Sequence, residues 1–592
     1  MENKVKFQQK LLSHYKRLLS KTSVMRQGQS RIILSIILLL PMASYAHLLS
    51  ITATKPFPST IPAGSSIFAT FKVTNISSKA NVTAIDQSNF PKESGLSISS
   101  STCGTLLTPG QFCVIQVALQ APTKEQIIST ALREWAKPSA EGVQYPIKIK
   151  VISAPELPAI SLVQIPTNVS LPALRAPAIA QSSGNWLIVS GTTGNFHDFN
   201  NNSFNTSIYV YDPVTTQIYS VDIGSTDLDP EIKKQLASSS PQFLQDGDTL
   251  YLIGGFYTAD NQIWTTLNTI TAINVPNMIN AIISGQTNLN QYAYFRTDIP
   301  QFQVTGGQLG KIGNYFYLAY GQNCEGSNYC TKQTYTNSIY KFITDPTLIS
   351  TQIVSSASHL DKDGSGWRRR DYNLAPFKLG DSDTLFAMAG PFTPGDNALV
   401  WTNGIMFDSK LKANDNFINQ QANQYAAASL SMYSENNKIA YVATFSGLSN
   451  LYWTTTGLVN DNTTPYGNIL DLISSDNRGN VQEFANLQPV CSTGTSLQNC
   501  LYMGLSATFI PIANYYDNRF ILQLDQLPKN TSTLIGYIFG GLLSPVQTIF
   551  ELPSDSGSGP SYASNQIYAV YVTPSAPIAG NWESITNLYP GT

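Results

Sequence analysis

Charged and aromatic side chains concentrate between Trp367 and Asp371, and a binding chemistry is easiest to place there. Three arginines, at positions 368–370, lie between these two residues in a chain with only 12% charged residues. A guanidinium presents a planar fork of donors that matches a carboxylate, and an aromatic ring offers a stacking plane for a sugar. The segment therefore suits a carboxylate-bearing or sugar ligand. We predict four ligand-binding residues: Trp367, Arg368, Arg370 and Asp371.

The same segment also has a purely structural interpretation. An arginine beside an aspartate at the start of a strand can lock neighbouring elements together. Because strand residues alternate between faces, Arg368 and Arg370 would share one side and Arg369 the other. The binding and the structural role can therefore coexist.

Catalytic, metal-binding and cofactor-binding residues are not predicted. The chain has only four histidines, whereas a Ser-His-Asp triad needs a positioned histidine base, and no Gly-x-Ser-x-Gly sequence occurs. The segment 361–365 is similar to a calcium loop but lacks the third acidic ligand. A glycosidase-type reaction needs two neighbouring carboxylates. The candidates for it are Asp361, Asp363, Asp371 and Asp381.

The six cysteines fall into three close pairs. An even number in short local spacings behind an export signal predicts three local disulfides. Zinc is the alternative for any pair, but the spacings do not match Cys-x-x-Cys and histidine is scarce. The predicted disulfides are Cys103–Cys113, Cys324–Cys330 and Cys491–Cys500.

The elements that must position these residues belong to a repeat. A short aromatic and β-branched run that ends in a small residue recurs at 186–191, 250–256, 315–321, 385–390, 439–444 and 537–541. Each copy has the composition of a buried strand that enters a tight bend. After each copy comes an asparagine, usually as Asn-x-Ile, and successive asparagines are 63 to 69 residues apart with one longer step of 97. The asparagines are Asn205, Asn268, Asn337, Asn403, Asn468 and Asn565.

Repeats made only of strands must pack on their neighbours to bury their apolar faces, and closing them into a ring removes most exposed sheet edges. Here the chain resembles the kelch-type β-propellers, whose signature is an aromatic-apolar strand that ends in Gly-Gly, as at Gly254-Gly255 and Gly540-Gly541. The resemblance covers roughly residues 175 to 575 and implies about six blades. Copper oxidases on such propellers use two histidines that this chain lacks near its C-terminus, so the resemblance implies the fold and no cofactor. Short helices are expected between strands at 231–238, 278–283 and 411–428.

The region before the repeats resembles the bacterial Ig-like domains related to abnormal-spindle and major-sperm-protein sandwiches. It has an alternating strand that ends in Val73-Thr74-Asn75, then Cys103-Gly104, Pro109-Gly110, Cys113 and a second alternating strand. Residues 124–137 have apolar side chains at helical spacing where a last strand is expected, and residues 148–152 could supply that strand instead.

The N-terminus has the features of a secretory signal peptide. Basic residues precede the apolar run 32–40, and Ser44-Tyr45-Ala46 places small residues at the cleavage positions. The run is too short to cross a bilayer comfortably, although an uncleaved anchor is the alternative, and Met25 is an alternative start. The predicted organisation is a signal peptide (1–46), an Ig-like β-sandwich (47–155), a Pro-rich linker (156–178), the propeller (179–575) and a loop-like tail (576–592).

Composition narrows the function. A net charge of −2 gives no electrostatic footprint for nucleic acid, and 42% hydrophobic residues suffice for a packed core. We predict an all-β protein, either secreted or at the periplasmic or outer surface of a Gram-negative-type bacterium. It would be a non-enzymatic interaction module that binds a protein or glycan at a cell surface, without a membrane span after cleavage. The alternatives are a sialidase- or lyase-like carbohydrate-active enzyme and a purely structural envelope protein.

Overall fold

The computed structural model describes residues 48–588, apart from gaps at 58, 64–65, 123, 139–140, 153–156, 169, 197, 199–200, 262, 328–329, 360–365, 395–398, 493, 495, 513, 550–560 and 575–581. The predicted signal peptide and the acidic segment 361–365 lie outside the described residues. The chain divides into two units, which are described separately. The first consists of Met1–Ser59, Phe68–Ala118 and Ile127–Lys150, and the second of Thr60–Ile67, Leu119–Gln126 and Val151–Thr592.

Two sheets form the N-terminal region. Its strands are β1 (Leu49–Lys55), β2 (Thr60–Pro62), β3 (Ser66–Asn75), β4 (Val82–Asp86), β5 (Leu96–Ser101), β6 (Leu106–Leu107), β7 (Phe112–Gln120), β8 (Gln126–Lys137) and β9 (Glu141–Ile152). One sheet has the order β1-β3-β7-β5, and the other contains β9-β8-β4-β6. Phe71 of the first sheet lies edge-on to Tyr145 of the second, with ring centroids 5.2 Å apart. The Ig-like assignment of this pair of sheets stays a prediction.

The expected helical segment in this unit is wrong. Residues 126–137 form strand β8, in which Ile128, Leu132 and Ala136 are buried. These residues are four apart and therefore satisfy a helical and a strand spacing equally, and pairing with β4 selects the strand.

The second unit contains, among its described residues, six sheets built on four antiparallel strands, here called blades 1 to 6. Blade 1 is β11 (Ala178–Ser182), β12 (Asn185–Val189), β13 (Ser207–Tyr211) and β14 (Ile218–Asp222); blade 2 is β15 (Gln242–Asp246), β16 (Thr249–Ile253), β19 (Ile270–Asn274) and β20 (Ala293–Arg296); blade 3 is β21 (Gln308–Ile312), β22 (Tyr315–Ala319), β25 (Ser338–Ile343) and β26 (Gln352–Ser358). Blade 4 is β27 (Asn373–Leu379), β28 (Ser382–Met388), β29 (Asn403–Asp408) and β30 (Ala413–Asn419); blade 5 is β31 (Ala428–Ser434), β32 (Ile439–Phe445), β35 (Leu470–Asp476) and β36 (Val481–Asn486); blade 6 is β37 (Tyr502–Pro511), β39 (Thr533–Ser544), β41 (Ile567–Thr573) and β10 (Ala159–Ile165).

Shorter strands and helices lie outside the four-stranded blades. Hairpins extend blades 2, 3 and 5: β17 (Phe256–Thr258) with β18 (Trp264–Thr266), β23 (Gln322–Glu325) with β24 (Lys332–Tyr335), and β33 (Leu451–Thr454) with β34 (Gly457–Asn460). Strands β38 (Leu522–Gln523) and β42 (Trp582–Ser584) add to blade 5, and β40 (Tyr562–Ala563) adds to blade 6. Within the described ranges the α-helices are α1 (Pro230–Leu236), α2 (Val275–Ile283) and α3 (Ile585–Leu588), and single 3-10 turns lie between some of the strands.

The six blades close into a ring. A buried apolar cluster lies between each blade and the next, and Trp186 of blade 1 packs on Phe539 of blade 6 to complete the cycle. Sheets packed face to face in a closed cycle define a β-propeller. The predicted all-β fold is therefore confirmed. No helix within the described ranges is long and apolar enough to cross a membrane.

The propeller reaches beyond its predicted limits. Residues 159–165, placed in the linker by sequence, form β10 and pair along their whole length with β41. In the predicted tail, β42 pairs with β36, and the Trp582 indole donates to the Pro158 carbonyl at 2.8 Å. Proline content suggested a linker because the segments 155–158 and 166–177 on either side of β10 carry the prolines.

Two of the three expected inter-strand helices are confirmed, as α1 and α2. Both begin with a side-chain cap and a proline in the first turn, which is the usual helix start. The third, at 411–428, is wrong, because residues 413–419 form β30 and pair with β29.

The recurring strands explain why each copy ends in small residues. Two consecutive residues with a left-handed backbone directly follow the second strand in blades 1 to 5 and lie within it in blade 6: Ser190-Gly191, Gly254-Gly255, Tyr320-Gly321, Ala389-Gly390, Ser446-Gly447 and Gly540-Gly541. The second position is always glycine. At Gly321 an added Cβ would lie 2.6 Å from the Gly307 nitrogen, and at Gly541 it would lie 2.7 Å from the Leu505 carbonyl oxygen.

Candidate ligand site in the central cavity

The first strand of each blade lines a central cavity. A residue with a left-handed backbone lies just before the first strand in blades 1 to 5 and within the first strand in blade 6, and the six together are called the connector ring: Ala176, Ser240, Gly306, Asp371, Ala426 and Ser506. Backbone hydrogen bonds directly link five of its members, from Gly306 round to Ala176. The amide of Asp371 donates to the Gly306 carbonyl at 2.7 Å, and the amide of Ala426 donates to the Asp371 carbonyl at 2.8 Å. The amide of Ser506 donates to Ala426 at 2.6 Å, and that of Ala176 donates to Ser506 at 2.8 Å.

The cavity inside the connector ring has a volume of about 680 Å³ and is lined by residues from all six blades. This volume is within the range of small-molecule sites in proteins. Because successive strands of a blade are antiparallel, the loops between second and third strands rise from this same end of the ring. Those loops include the β17–β18, β23–β24 and β33–β34 hairpins, so the longest connections surround the mouth of the cavity. Binding residues commonly lie on such loops above a rigid scaffold.

Three charged residues line this cavity among the residues that the structure describes: Arg175, Arg370 and Asp371. Arg175 is held in place, since it donates to the Thr192 hydroxyl at 2.6 Å and to the carbonyls of Phe196 and Asp198 at 2.6 and 2.8 Å. Arg370 Nε lies 3.4 Å from Asp371 Oδ2. The Arg370 guanidinium lies 5.0 Å from the centre of the Phe392 ring. The described residues therefore present an excess of positive charge to the cavity.

The Asp371 side chain is open to the cavity, but protein atoms surround the cavity at this position. Its side chain is 41% exposed, yet burial raises the pKa of its carboxyl above the ordinary value, against the opposing effect of Arg370 and Arg175. Gly306 makes room for this carboxylate, because a Cβ there would lie 2.8 Å from Asp371 Oδ1.

The rest of the lining combines aromatic rings with hydroxyl and amide groups. The rings are Phe196, Phe243, Phe256, Phe392, Tyr425 and Phe509, and the polar neutral side chains include Ser239, Thr305, Gln308, Gln322, Asn373, Ser429 and Thr508. Burial raises the pKa of Tyr425 to about 12, so its phenol is a neutral donor at physiological pH. Apolar walls with a few polar groups are typical of sites that orient a small ligand.

A smaller cavity of about 230 Å³ lies at the other end of the first strands. Phe243, Leu374 and Phe509 line both cavities and form an apolar waist between them. The charged groups of the smaller cavity are engaged in ion pairs. Lys311 Nζ lies 2.5 Å from Asp246, and Arg519 lies 2.8 Å from Asp383. The larger cavity is therefore the better candidate site.

The structure separates the four predicted site residues into two pairs. Arg370 and Asp371 line the larger cavity, as described above. Trp367 is only 2% exposed and its indole donates to Asp415 at 2.8 Å. Arg368 lies outside the cavity lining, where it donates to the Phe392 carbonyl at 2.6 Å and lies 4.0 Å from the Tyr335 ring centre. Trp367 and Arg368 thus support the walls.

Arg369 is structural, but it does not form the arginine–aspartate lock that the alternative interpretation predicted. It is fully buried, and it donates to the carbonyls of Gly366, Ala389 and Asn403, with distances of 2.7 Å to Ala389 and 3.1 Å to Asn403. Its partners are backbone carbonyls of blade 4 rather than an aspartate.

Sequence reasoning missed Arg175 and Tyr425, which line the cavity from the connectors of blades 1 and 5. The repeat pattern follows the second strand of each blade, whereas Arg175 and Tyr425 lie just before the first strand of their blades. Aligning the segments 175–177, 239–241, 305–307, 370–372, 425–427 and 505–507 would have revealed them.

Among the described residues, Asp371 is the one predicted catalytic acid that lines this cavity. Asp381 is exposed on the β27–β28 turn, at the opposite end of β27 from Asp371. No group of three or more His, Cys, Asp or Glu side chains suited to a metal ion occurs among the described residues.

All three predicted disulfides are confirmed. The Cα atoms are 5.1, 5.1 and 5.3 Å apart in Cys103–Cys113, Cys324–Cys330 and Cys491–Cys500. Three disulfides fit an oxidising extracellular or periplasmic environment.

The chain matches no protein-family profile and no curated protein sequence. Among solved structures it is similar to a protein named YjhT, with a TM-score of 0.32 at 11% identity over 60% of this chain and 91% of that one. The Dos1 propeller gives 0.27 at 10% identity over 68% and 92%, and Sqt1 from Saccharomyces cerevisiae gives 0.27 at 9% over 71% and 100%. At these scores the assignment to the β-propellers rests on the six blades and the cores between them.

Proposed function

We propose that this protein is an exported, non-enzymatic binding module that holds a glycan in the larger cavity of its propeller. A secreted or periplasmic location in a Gram-negative-type bacterium agrees with the predicted signal peptide and with the three disulfides. The propeller fold is compatible with a binding protein and with an enzyme, so the function has to be inferred from the residues that line the site.

One observation carries the proposal: aromatic rings, neutral hydrogen-bonding side chains and one carboxylate line the same cavity. Sugars present apolar faces and hydroxyl groups together, and this lining offers partners for both. Hydrolysis of a glycosidic bond usually needs two carboxylates. Asp371 is the one carboxylate that the described lining supplies.

A glycan array with the purified protein, starting at His47, tests the proposal. Phe392→Ala removes a ring from the wall of the larger cavity, and Phe520→Ala removes one from the smaller cavity as a matched control. We expect saturable binding that weakens at least about fivefold with Phe392→Ala, since a stacking contact contributes about 1 kcal/mol or more. Phe520→Ala should bind like the wild type.

Two outcomes would overturn the proposal. Release of a modified sugar would identify a carbohydrate-active enzyme. Binding to proteins of a host-surface extract, with no glycan binding and no effect of Phe392→Ala, would place the contact on the outer loops instead. Circular dichroism of each variant shows that the fold is retained.

A further inference from the structure

The net charge of the described lining of the larger cavity is opposite in sign to the net charge of the whole chain. The protein has a net charge of −2, whereas the described cavity lining holds two arginines and one aspartate. In an enclosed space with apolar walls, such an excess acts on a ligand more strongly than it would in bulk water. This cavity therefore favours a ligand that carries an anionic group.

The two arginines are not equivalent. Arg175 is anchored by a hydroxyl and two carbonyls, and its side chain holds the loop of residues 192–198. Arg370 lies next to a carboxylate, at 3.4 Å from Asp371 Oδ2, and its side chain is 18% exposed. Arg370 and Asp371 thus form a loose ion pair at the cavity surface, where an entering anion would meet both.

We propose that the cavity recognises a sugar that bears a carboxylate, and that Asp371 is an internal competitor for Arg370 whose protonation strengthens capture of the ligand. The inference rests on the proposed glycan-binding function and specifies its ligand and its regulation. With Asp371 ionised, part of the charge of Arg370 is neutralised and an incoming carboxylate is repelled. When Asp371 binds a proton, both effects disappear.

The groups that face Asp371 determine the sign of the pH dependence. They are Arg370 on its own connector, Arg175 on the connector of blade 1 and Tyr425 on the connector of blade 5. Both arginines keep their charge, and Tyr425 stays neutral because its pKa is about 12. The pKa of Asp371 lies above its ordinary value, while a sugar carboxylate stays ionised down to about pH 4. Affinity for the acidic sugar should therefore rise as the pH falls and Asp371 binds a proton.

Calorimetric titration of the full exported chain tests this inference with three probes: D-glucuronate, D-glucose and acetate. The titrations are made at about pH 5 and about pH 7.5, in buffers without carboxylates. We expect glucuronate to bind more tightly than glucose, and at least about fivefold more tightly at the lower pH. Asp371→Asn should bind glucuronate tightly at both values, and Arg370→Gln should bind glucuronate and glucose alike.

Two exposed residues serve as controls. Asp381→Asn and Arg478→Gln change the same residue types on turns outside the cavity, and both should behave as the wild type. Circular dichroism confirms folding of all variants.

Each outcome separates this inference from the proposed function. Equal binding of glucose and glucuronate would keep the glycan function and overturn the inference. Binding of acetate and glucuronate with the expected pH dependence, but without a contribution from the sugar, would support the anion site and overturn the glycan function. Binding of none of the three probes would overturn both. Preference for glucuronate with no effect of Asp371→Asn would overturn the role of Asp371.

Discussion

Arg369 and Arg370 are adjacent in the sequence but experience different surroundings. Arg369 is fully buried and satisfies backbone carbonyls at the left-handed turn of blade 4. Arg370 faces the cavity beside Asp371. Burial lowers the pKa of Arg369 to about 10, and its guanidinium still stays charged at physiological pH. The protein tolerates this buried charge because every arm of the guanidinium has an acceptor.

Substitution of these two arginines should separate structure from binding. Arg369→Met keeps the side-chain volume but leaves the carbonyls of Ala389 and Asn403 without their donor, so we expect a loss of about 3 kcal/mol in the free energy of unfolding. Arg370→Gln should change it by less than about 1 kcal/mol. Urea denaturation measures both, and similar losses would contradict the assigned roles.

A buried pair of acids makes stability depend on pH. Glu483 accepts the amides of Gln421 at 2.6 Å and Ala422 at 3.1 Å, next to the fully buried Asp471. Burial raises the pKa of Glu483 from 4.5 to about 7, and burial together with Glu483 raises that of Asp471. Between about pH 4.5 and about pH 7, the folded state therefore binds more protons than the unfolded state. The free energy of unfolding should fall as the pH rises from about 4.5 to about 7.

Glu483→Gln removes the titrating group from this pair. Relative to the wild type, the variant should gain up to about 3 kcal/mol in stability on going from about pH 5 to about pH 8. Urea denaturation at several pH values measures the difference between the two proteins. A difference that is independent of pH would show that Glu483 titrates normally.

At the scale of elements, the left-handed pair at or near the end of each second strand fixes the packing against the connector of its blade. Gly321 and Gly313 test this, because both have positive φ angles, 87° and 58°, but different surroundings. A Cβ at Gly321 would meet the Gly307 nitrogen at 2.6 Å, whereas a Cβ at Gly313 meets nothing within 4 Å.

Alanine substitutions at these glycines should differ in cost. Gly313→Ala carries only the backbone strain of about 1 kcal/mol, and Gly321→Ala adds the clash and should cost at least about 3 kcal/mol. Thermal or urea unfolding compares the two. Equal losses would mean that the turn of blade 3 has room to shift.

Sequence reasoning reached the elements more readily than the site. The strand before Gly254-Gly255 and the asparagine at position 268 identify the repeat, because local backbone geometry and capping impose the same residues in each copy. In the structure Asn268 Nδ2 donates to the Thr297 carbonyl at 2.7 Å. The cavity, by contrast, takes one connector from each blade, and Arg175 and Asp371 are distant in sequence. Their proximity follows from closing the ring, which no local pattern encodes.

At the scale of the whole molecule, ring closure depends on a strand from the beginning of the propeller. Strand β10 pairs with β41 of blade 6, so the two ends of the propeller chain meet in one sheet. Ile160 on this strand is 8% exposed and packs between blades 5 and 6, while Val163 points the other way and is 49% exposed. Because each blade packs on two neighbours, loosening this closure should affect the ring beyond blade 6.

Ile160→Asp should therefore destabilise all six blades together. Burying a carboxylate among apolar side chains costs about 3 kcal/mol or more, and an opened ring exposes the apolar faces of the blades that it separates. Hydrogen exchange followed by mass spectrometry should show faster exchange in the first strands of every blade, which surround the cavity. Val163→Asp, on the exposed face of the same strand, should leave exchange unchanged. Faster exchange confined to β10 and β41 would instead mean that the other blades hold the ring without the closing strand.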